Sequence, residues 1–230
     1  MSDTILLSID TCTRLASVAL AREEQVWIEH TWVAGRDHTA QLAPRIQSLF
    51  SEATLAPTSL GAVVVATGPG SFNGVRAGMA TAKAMAFALD LPLVGVSGLE
   101  AQAYVYAPTG LPICPIQDAG RGELAVALYR TVEGGWLQVR PEAIVSWEEL
   151  EGLIQEPTII CGDLYPSLAA EARRRLTERA ILTTPAAGPR RAGYLAELGW
   201  IQIKEGKAQH PGLVQPLYLR RPAITERRKA

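Results

Sequence analysis

The sequence is short of cysteine, of net charge and of long apolar runs. It contains only Cys12, Cys114 and Cys161, an odd number set far apart with no Cys-x-x-Cys pair. That spacing excludes a disulfide framework and a zinc knuckle, and it fits a reduced, cytoplasmic compartment. The 22 Lys and Arg residues nearly balance the 23 Asp and Glu, for a net charge of −1. So balanced a chain has no general attraction for nucleic acid, and any RNA contact must be local or made through a partner. No stretch reaches the roughly 18 apolar residues that a membrane helix needs. The most apolar window, residues 84–89, is short and lies between Lys83 and Asp90. The N-terminal end carries Asp3 and Asp10 and lacks a basic-then-apolar targeting pattern. Histidine is scarce as well: His30, His38 and His210 are far apart, and no His, Cys and Asp set has metal-ligand spacing. A lone helix histidine such as His38 is expected at the surface or in a cap.

What is present is a 230-residue chain, 48% hydrophobic, long enough for one large domain or two small ones. Residues 5–9, 15–21 and 26–32 read as strands of an antiparallel meander. Asp10-Thr11-Cys12-Thr13-Arg14 and Glu23-Glu24 form its turns. Asp37 reads as a helix N-cap, followed by Leu42, Ile46, Leu49, Phe50 and Ala53 at helical spacing, with Pro44 near the first turns. Residues 62–66 form a buried strand that runs into Gly68-Pro69-Gly70-Ser71-Phe72-Asn73-Gly74 and then a helix to about residue 89. Residues 93–96 are the next strand, and Ser97 caps a helix through Tyr106. In the second half, residues 113–117, 124–131 and 136–144 are predicted strands. Ser146-Trp147-Glu148-Glu149 has the capping-box form and opens a helix to Ile154. A short strand at 158–161 and helices at 167–176 and 192–205 complete the pattern. The tail carries Arg220, Arg221, Arg227, Arg228 and Lys229, which suit either a solvated terminus or a tRNA-backbone contact.

Residues 10–22 and 118–130 align at a constant offset of 108, with five of thirteen positions identical, among them Asp10/Asp118 and Val18/Val126. Two hairpins can match so far by chance. The alternative is a duplicated α/β fold whose Asp-bearing hairpins face one cleft, the plan of actin-like, sugar-kinase-like ATPases. In that plan Asp10, Thr11, Thr13, Gly70, Ser71 and Asp118 are the candidate phosphate or nucleotide residues. Their backbone N–H groups would hold phosphate, and their carboxylates metal-bound water.

The glycine-rich turn fails every familiar chemical template. A Walker loop needs a Gly-Lys-Ser/Thr ending, which residues 73–75 do not supply. The third glycine of a dinucleotide fingerprint is Asn73, and a nucleophile elbow would need glycine where Pro69 stands. What remains is a tight strand-to-helix reversal, with helix N–H groups free for an anion or a cap. Behind it Gly74, Gly78, Ala82 and Ala86 make an i,i+4 ridge almost without side chains. Each helical glycine costs roughly 1 kcal/mol against alanine, so the ridge implies close packing, against the chain's own sheet or against a partner helix.

Taken together, these segments resemble the TsaB (YeaZ) family. The resemblance rests on Ile9-Asp10-Thr11-Cys12-Thr13, on His38-Thr39-x-x-Leu42-x-Pro44, and on the glycine turn through Val75-Arg76-x-Gly78. Gly95-Val96-Ser97-Gly98-Leu99-Glu100-Ala101, Asp118-Ala119 and Pro216-x-Tyr218-Leu219-Arg220 continue it across nearly the whole chain. Asn73 stands where threonine is usual, and Gly120 where arginine is usual. The resemblance implies an actin-like (ASKHA, RNase H-like) duplicated fold with a degenerate cleft, in two subdomains, 1–108 and 109–230. It further implies a non-catalytic scaffold for threonylcarbamoyl transfer to tRNA, dimerising with the catalytic paralogue TsaD and recruiting the ATPase TsaE. A homodimer through the same surface is also implied, as is tRNA contact through the complex. The docking surface it suggests is His38, Leu42, Ile46 and Phe50 on the first helix, with Gly74, Arg76, Gly78, Met79, Ala82 and Lys83 on the second. No cofactor is required on this reading, with weak ATP or ADP and magnesium as the alternative. An ATP-dependent transferase or kinase acting alone is the competing function, and a peptidase, the label some relatives carry, has no Ser-His-Asp set behind it.

Overall fold

The computed structural model describes residues 4–35, 37–133 and 135–220. Its first half runs β1 (Ile5–Asp10), β2 (Leu15–Arg22), β3 (Gln25–Val33), α1 (His38–Glu52), β4 (Leu60–Ala66), α2 (Phe72–Ala88), β5 (Leu93–Val96) and α3 (Gly98–Tyr104). Its second half repeats the order: β6 (Ile113–Gly120), β7 (Glu123–Val132), β8 (Gly135–Val145), α4 (Trp147–Leu153), β9 (Thr158–Gly162), α5 (Pro166–Leu176), β10 (Ala180–Leu182) and α6 (Ala192–Lys204). The sheets have matching strand orders, β3-β2-β1-β4-β5 and β8-β7-β6-β9-β10. In each, the first three strands are antiparallel and the last two run parallel to the first.

The repeat is present as topology, but its register is not the constant offset of 108. Ile9 lies opposite Val18, and the pair on the corresponding face is Ile116 opposite Val126. Gln117 therefore stands where Asp10 stands, and Asp118 falls one residue later. A strand irregularity between Asp118 and Gly120 takes up the difference. What the two aspartates share is local: Asp10 accepts from the Cys12 N–H (2.8 Å) and Asp118 from the Gly120 N–H (2.7 Å), each two residues on.

The outer face of each sheet carries its own helices. α1 and α2 pack Leu42, Ile46, Leu49, Phe50, Met79 and Ala82 onto Leu7, Ile9, Val18 and Val63. On the second sheet, α4 and α5 cover Cys114, Ile116, Val126 and Ile160. The inner faces are covered by exchange. α6 lays Leu195, Leu198 and Trp200 on Leu6, Val64 and Val94 of the first sheet. α3 lays Leu99 and Ala103 on Ile113, Ala127 and Tyr129 of the second. The second repeat thus begins at β6, and packing runs across the junction between the repeats.

This packing corrects the proposed docking residues. His38, Leu42, Ile46, Phe50, Gly74, Gly78, Met79 and Ala82 are all buried within the first lobe. Arg76 is exposed and Lys83 half-buried. A charge at Met79 would enter the core and unfold the lobe, so it cannot report on a partner surface. The small-residue ridge likewise turns inward, against β1 and the turn that follows it.

Smaller differences have local causes. Asp37 occupies the N-cap of α1, but only its carbonyl is used, accepting from Ala40 and Gln41, and its side chain makes no cap bond. Pro44 lies inside α1 on its solvent side, and α3 ends at Tyr104. His38 is buried: its Nε2–H donates to the Thr13 carbonyl (2.8 Å), tying α1 to the first hairpin. Ser97 and Ser146 cap as expected, Ser146 in a complete box with Glu149. No described helix is long and apolar enough to cross a membrane. Of the basic tail, Arg221, Arg227, Arg228 and Lys229 lie outside the described residues.

Candidate functional site

The turn after β4 and the turn after β1 are built as one unit. A Cβ on Gly70 would overlap the Cys12 carbonyl, one on Gly74 the Thr11 carbonyl, and one on Gly78 the Thr11 hydroxyl. The glycines therefore let the start of α2 sit directly on residues 11–12. Hydrogen bonds lock that contact: Ser71 N–H to the Cys12 carbonyl (2.8 Å), and the Thr11 hydroxyl to the Gly74 carbonyl (2.6 Å). Ser71 Oγ caps α2 by accepting from the Gly74 N–H (3.1 Å). Thr13 Oγ1 donates to the Leu15 carbonyl (2.8 Å).

Across from this unit stands the second hairpin, and between them is a cleft of about 680 Å³ lined by Thr13, Gly70, Ser71 and Asp118, among others. Asp10 and Thr11 are buried beneath its floor. The six candidate phosphate residues thus converge on one place, but each hydroxyl among them already serves a partner within the fold. Asp118 also accepts from Tyr165 Oη (2.7 Å), a bond that pushes the phenol up to about 12. The Cys12 thiol is raised well above its ordinary range by burial, with Asp10 adding to it, which keeps it a protonated core group.

Three features at the cleft were not read as part of it from the sequence, although the third carries the C-terminal resemblance. The first is Arg190, in the loop before α6, which is buried between the lobes. Its guanidinium donates to the Pro69 carbonyl (3.2 Å), Gln117 Oε1 (2.7 Å) and Gln102 Oε1 (3.3 Å), so it joins the glycine turn, β6 and α3. Gly98 at the start of α3 leaves room for it, since a Cβ there would strike the guanidinium. An arginine pair after a proline in a loop has no pattern that announces such a role.

The second is Asp163, just after β9. Burial raises its pKa, Arg190 opposes the rise, and Asp118 and Asp10 add to it. A carboxyl raised on folding stabilises the fold while protonated. That contribution is lost as pH climbs from the unfolded-state value through the folded one. Asp163→Asn is therefore expected to melt higher than the parent at pH 7, with the gap closing as pH falls below the ordinary carboxylate range. Thermal melts from pH 3 to 8 check this, and a gap independent of pH would refute it.

The third is the strap formed by residues 217–220. Leu217 N–H donates to the Thr67 carbonyl (2.8 Å), and Tyr218 packs on Phe72 with ring centroids 5.4 Å apart. Arg220 then reaches the second hairpin, where it pairs with Glu123 and approaches the Ala119 carbonyl (3.4 Å). The strap forms one wall of the cleft and spans both lobes.

Comparison with known proteins places this architecture. A family model described as "TsaD: tRNA N6-adenosine threonylcarbamoyltransferase" matches residues 32–179. The Bacillus subtilis tRNA threonylcarbamoyladenosine biosynthesis protein TsaB is 34% identical over 221 residues, covering 94% of this chain and 93% of that protein. The chain belongs to the TsaB family. The structure of YeaZ from Pseudomonas aeruginosa superimposes with a TM-score of 0.79 at 25% identity, covering 94% of this chain and all of that one. An activator of 2-hydroxyisocaproyl-CoA dehydratase from Clostridium difficile matches with a TM-score of 0.54 at 11% identity over 94% of this chain and all of that one, which establishes the shared actin-like fold. TsaB membership and the doubled β-β-β-α-β-α-β-α order agree with the fold class expected from the sequence.

Proposed function

We propose that this chain serves tRNA threonylcarbamoyladenosine biosynthesis as a non-catalytic subunit. It pairs with the catalytic paralogue TsaD, helps recruit the ATPase TsaE and meets tRNA through that complex. The observation that carries the reading is Arg190. A nucleotide phosphate site between Asp-bearing hairpins needs a divalent cation that can come and go with its ligand. Here a buried, tethered guanidinium backs the cleft-lining residues Pro69 and Gln117, and also holds Gln102. A fixed positive charge disfavours a magnesium ion beside it. The hydroxyls of Thr11, Thr13 and Ser71 are likewise committed.

Weak binding of ATP or ADP with magnesium follows from this. Calorimetry on the isolated chain is expected to show affinity in the millimolar range, about −4 kcal/mol. Micromolar binding that disappears in Asp10→Ala would favour an enzyme acting alone.

Pairing is assigned to the outer side of α1 and α2, which lie together on the first sheet. That side presents Thr39, Ala40, Ala43 and Gln47 of α1, with Arg76, Ala80 and Ala84 of α2, all exposed. Short side chains on two neighbouring helices let a partner's helices approach closely. Ala84→Arg is expected to abolish co-purification with the catalytic paralogue while moving stability by less than about 0.5 kcal/mol. Unchanged pairing would remove this surface. The same substitution read by sedimentation tests whether isolated copies pair through it.

A further inference from the structure

The two halves of the fold differ most in how their outer faces are covered. In the first lobe α1 has 15 residues, about 22 Å, and lies along β3. It is pinned toward both ends, by Trp32 Nε1–H donating to Gln41 Oε1 (2.8 Å) and by His30 against Glu52 (3.1 Å). In the second lobe the corresponding strand β8 has 11 residues, about 36 Å, and the corresponding helix α4 only seven, about 10 Å. α4 seals Leu150 and Ile154 into the core and stops there.

The uncovered part is pitted and partly apolar, and the Arg130–Glu156 ion pair (2.6 Å) lies beside Leu137 at its margin. Val132 and Leu137 are 43% and 50% exposed. Leu137 lies opposite Arg130 and Arg140 opposite Leu128, so both share the outer face with Leu128. The β7–β8 register shifts on either side of Leu128, and a cavity of about 230 Å³ opens there, lined by Val126, Leu128, Ala143, Leu153 and Ile154. Arg140 stands at its rim, exposed and without an ion pair among the described residues.

We propose that this face of β7 and β8 binds an amphipathic helix of a partner protein, with an apolar stripe facing Leu137 and the cavity and an acidic flank facing Arg140. The chain supplies its own precedent for the occupant. The equivalent strands β2 and β3 are covered by a helix whose stripe is Leu42, Ile46, Leu49 and Phe50. The second sheet lacks the same two turns of helix beyond α4. The rim charge sets the sign of the flank, because a desolvated guanidinium at an interface calls for a carboxylate. This surface is independent of the α1–α2 side and does not depend on the pairing assigned there.

The test uses the full-length chain and two synthetic amphipathic peptides of about 16 residues, long enough for four helical turns. They share a leucine and isoleucine stripe, one flanked by glutamates and the other by lysines. Amide NMR titration is expected to give saturable shifts with the acidic peptide, confined to β7, β8 and α4. Leu137→Glu should weaken binding by about tenfold or more. Arg140→Glu should reverse the preference toward the basic peptide. Leu137 is half exposed, so that variant should melt as the parent does. If it does not, Val132→Glu takes its place. No saturable shift, shifts centred on another surface, or equal binding of both peptides would overturn the proposal. So would a dimer of the free chain that Leu137→Glu dissociates, since a second copy would then cover the face.

Discussion

Gly74→Ala is expected to destabilise the protein by about 3 kcal/mol or more, reversing the usual gain from alanine in a helix. The usual gain, roughly 1 kcal/mol, comes from restricting the unfolded chain. At this position the new methyl would overlap the Thr11 carbonyl and crowd Ser71 Oγ. Both are fixed, the first by the hairpin and the second by its role as the cap of α2. The helix start would have to lift from the hairpin, breaking the bond from the Thr11 hydroxyl to the Gly74 carbonyl. Gly152→Ala is the control. It lies in α4 with open space around it, and should stabilise by about 0.5–1 kcal/mol. Denaturant midpoints at constant slope compare the two. If both alanines act alike, the close approach of α2 to the hairpin is not the constraint that glycine satisfies.

Arg190→Ala is expected to cost about 3 kcal/mol. The truncation leaves the Pro69 carbonyl and the two glutamine oxygens without their donor, and opens a void between the lobes. Arg190→Met should cost less. It fills much of the void and removes a desolvated charge, but still leaves the acceptors bare. Equal losses for the two variants would mean that the hydrogen bonds dominate. A neutral Arg190→Ala would remove this residue as the joint between the lobes.

Much of the fold was legible in the sequence because it rests on short-range rules. The stripe of Leu42, Ile46, Leu49 and Phe50 gave α1, and the Ser146 box gave α4. The same stripe misled on function, since helical spacing marks a buried face without saying what buries it. Here the answer is the chain's own sheet. The glycine ridge was similarly ambiguous until the Thr11 carbonyl was seen against Gly74. The doubled hairpin was visible, but one extra residue at the second hairpin moved Gln117 into the place of Asp10, and a fixed offset cannot show that. β10 is three residues long, too short to carry a period. Asp163 lines the cleft, and Arg190 braces its walls, through long-range folding alone, 47 and 88 residues from their partners Ile116 and Gln102.

The exchange of α3 and α6 puts the order of synthesis at odds with the order of packing. The first sheet can form as soon as β5 leaves the ribosome, yet the helix for its inner face ends at Lys204, 100 residues after α3 ends at Tyr104. At about 5–20 residues per second, that face waits roughly 5–20 s with Leu6, Val64 and Val94 uncovered. The nascent first half is therefore a client for whatever shields apolar surface during translation. A chain stalled before residue 192 would be a lasting one.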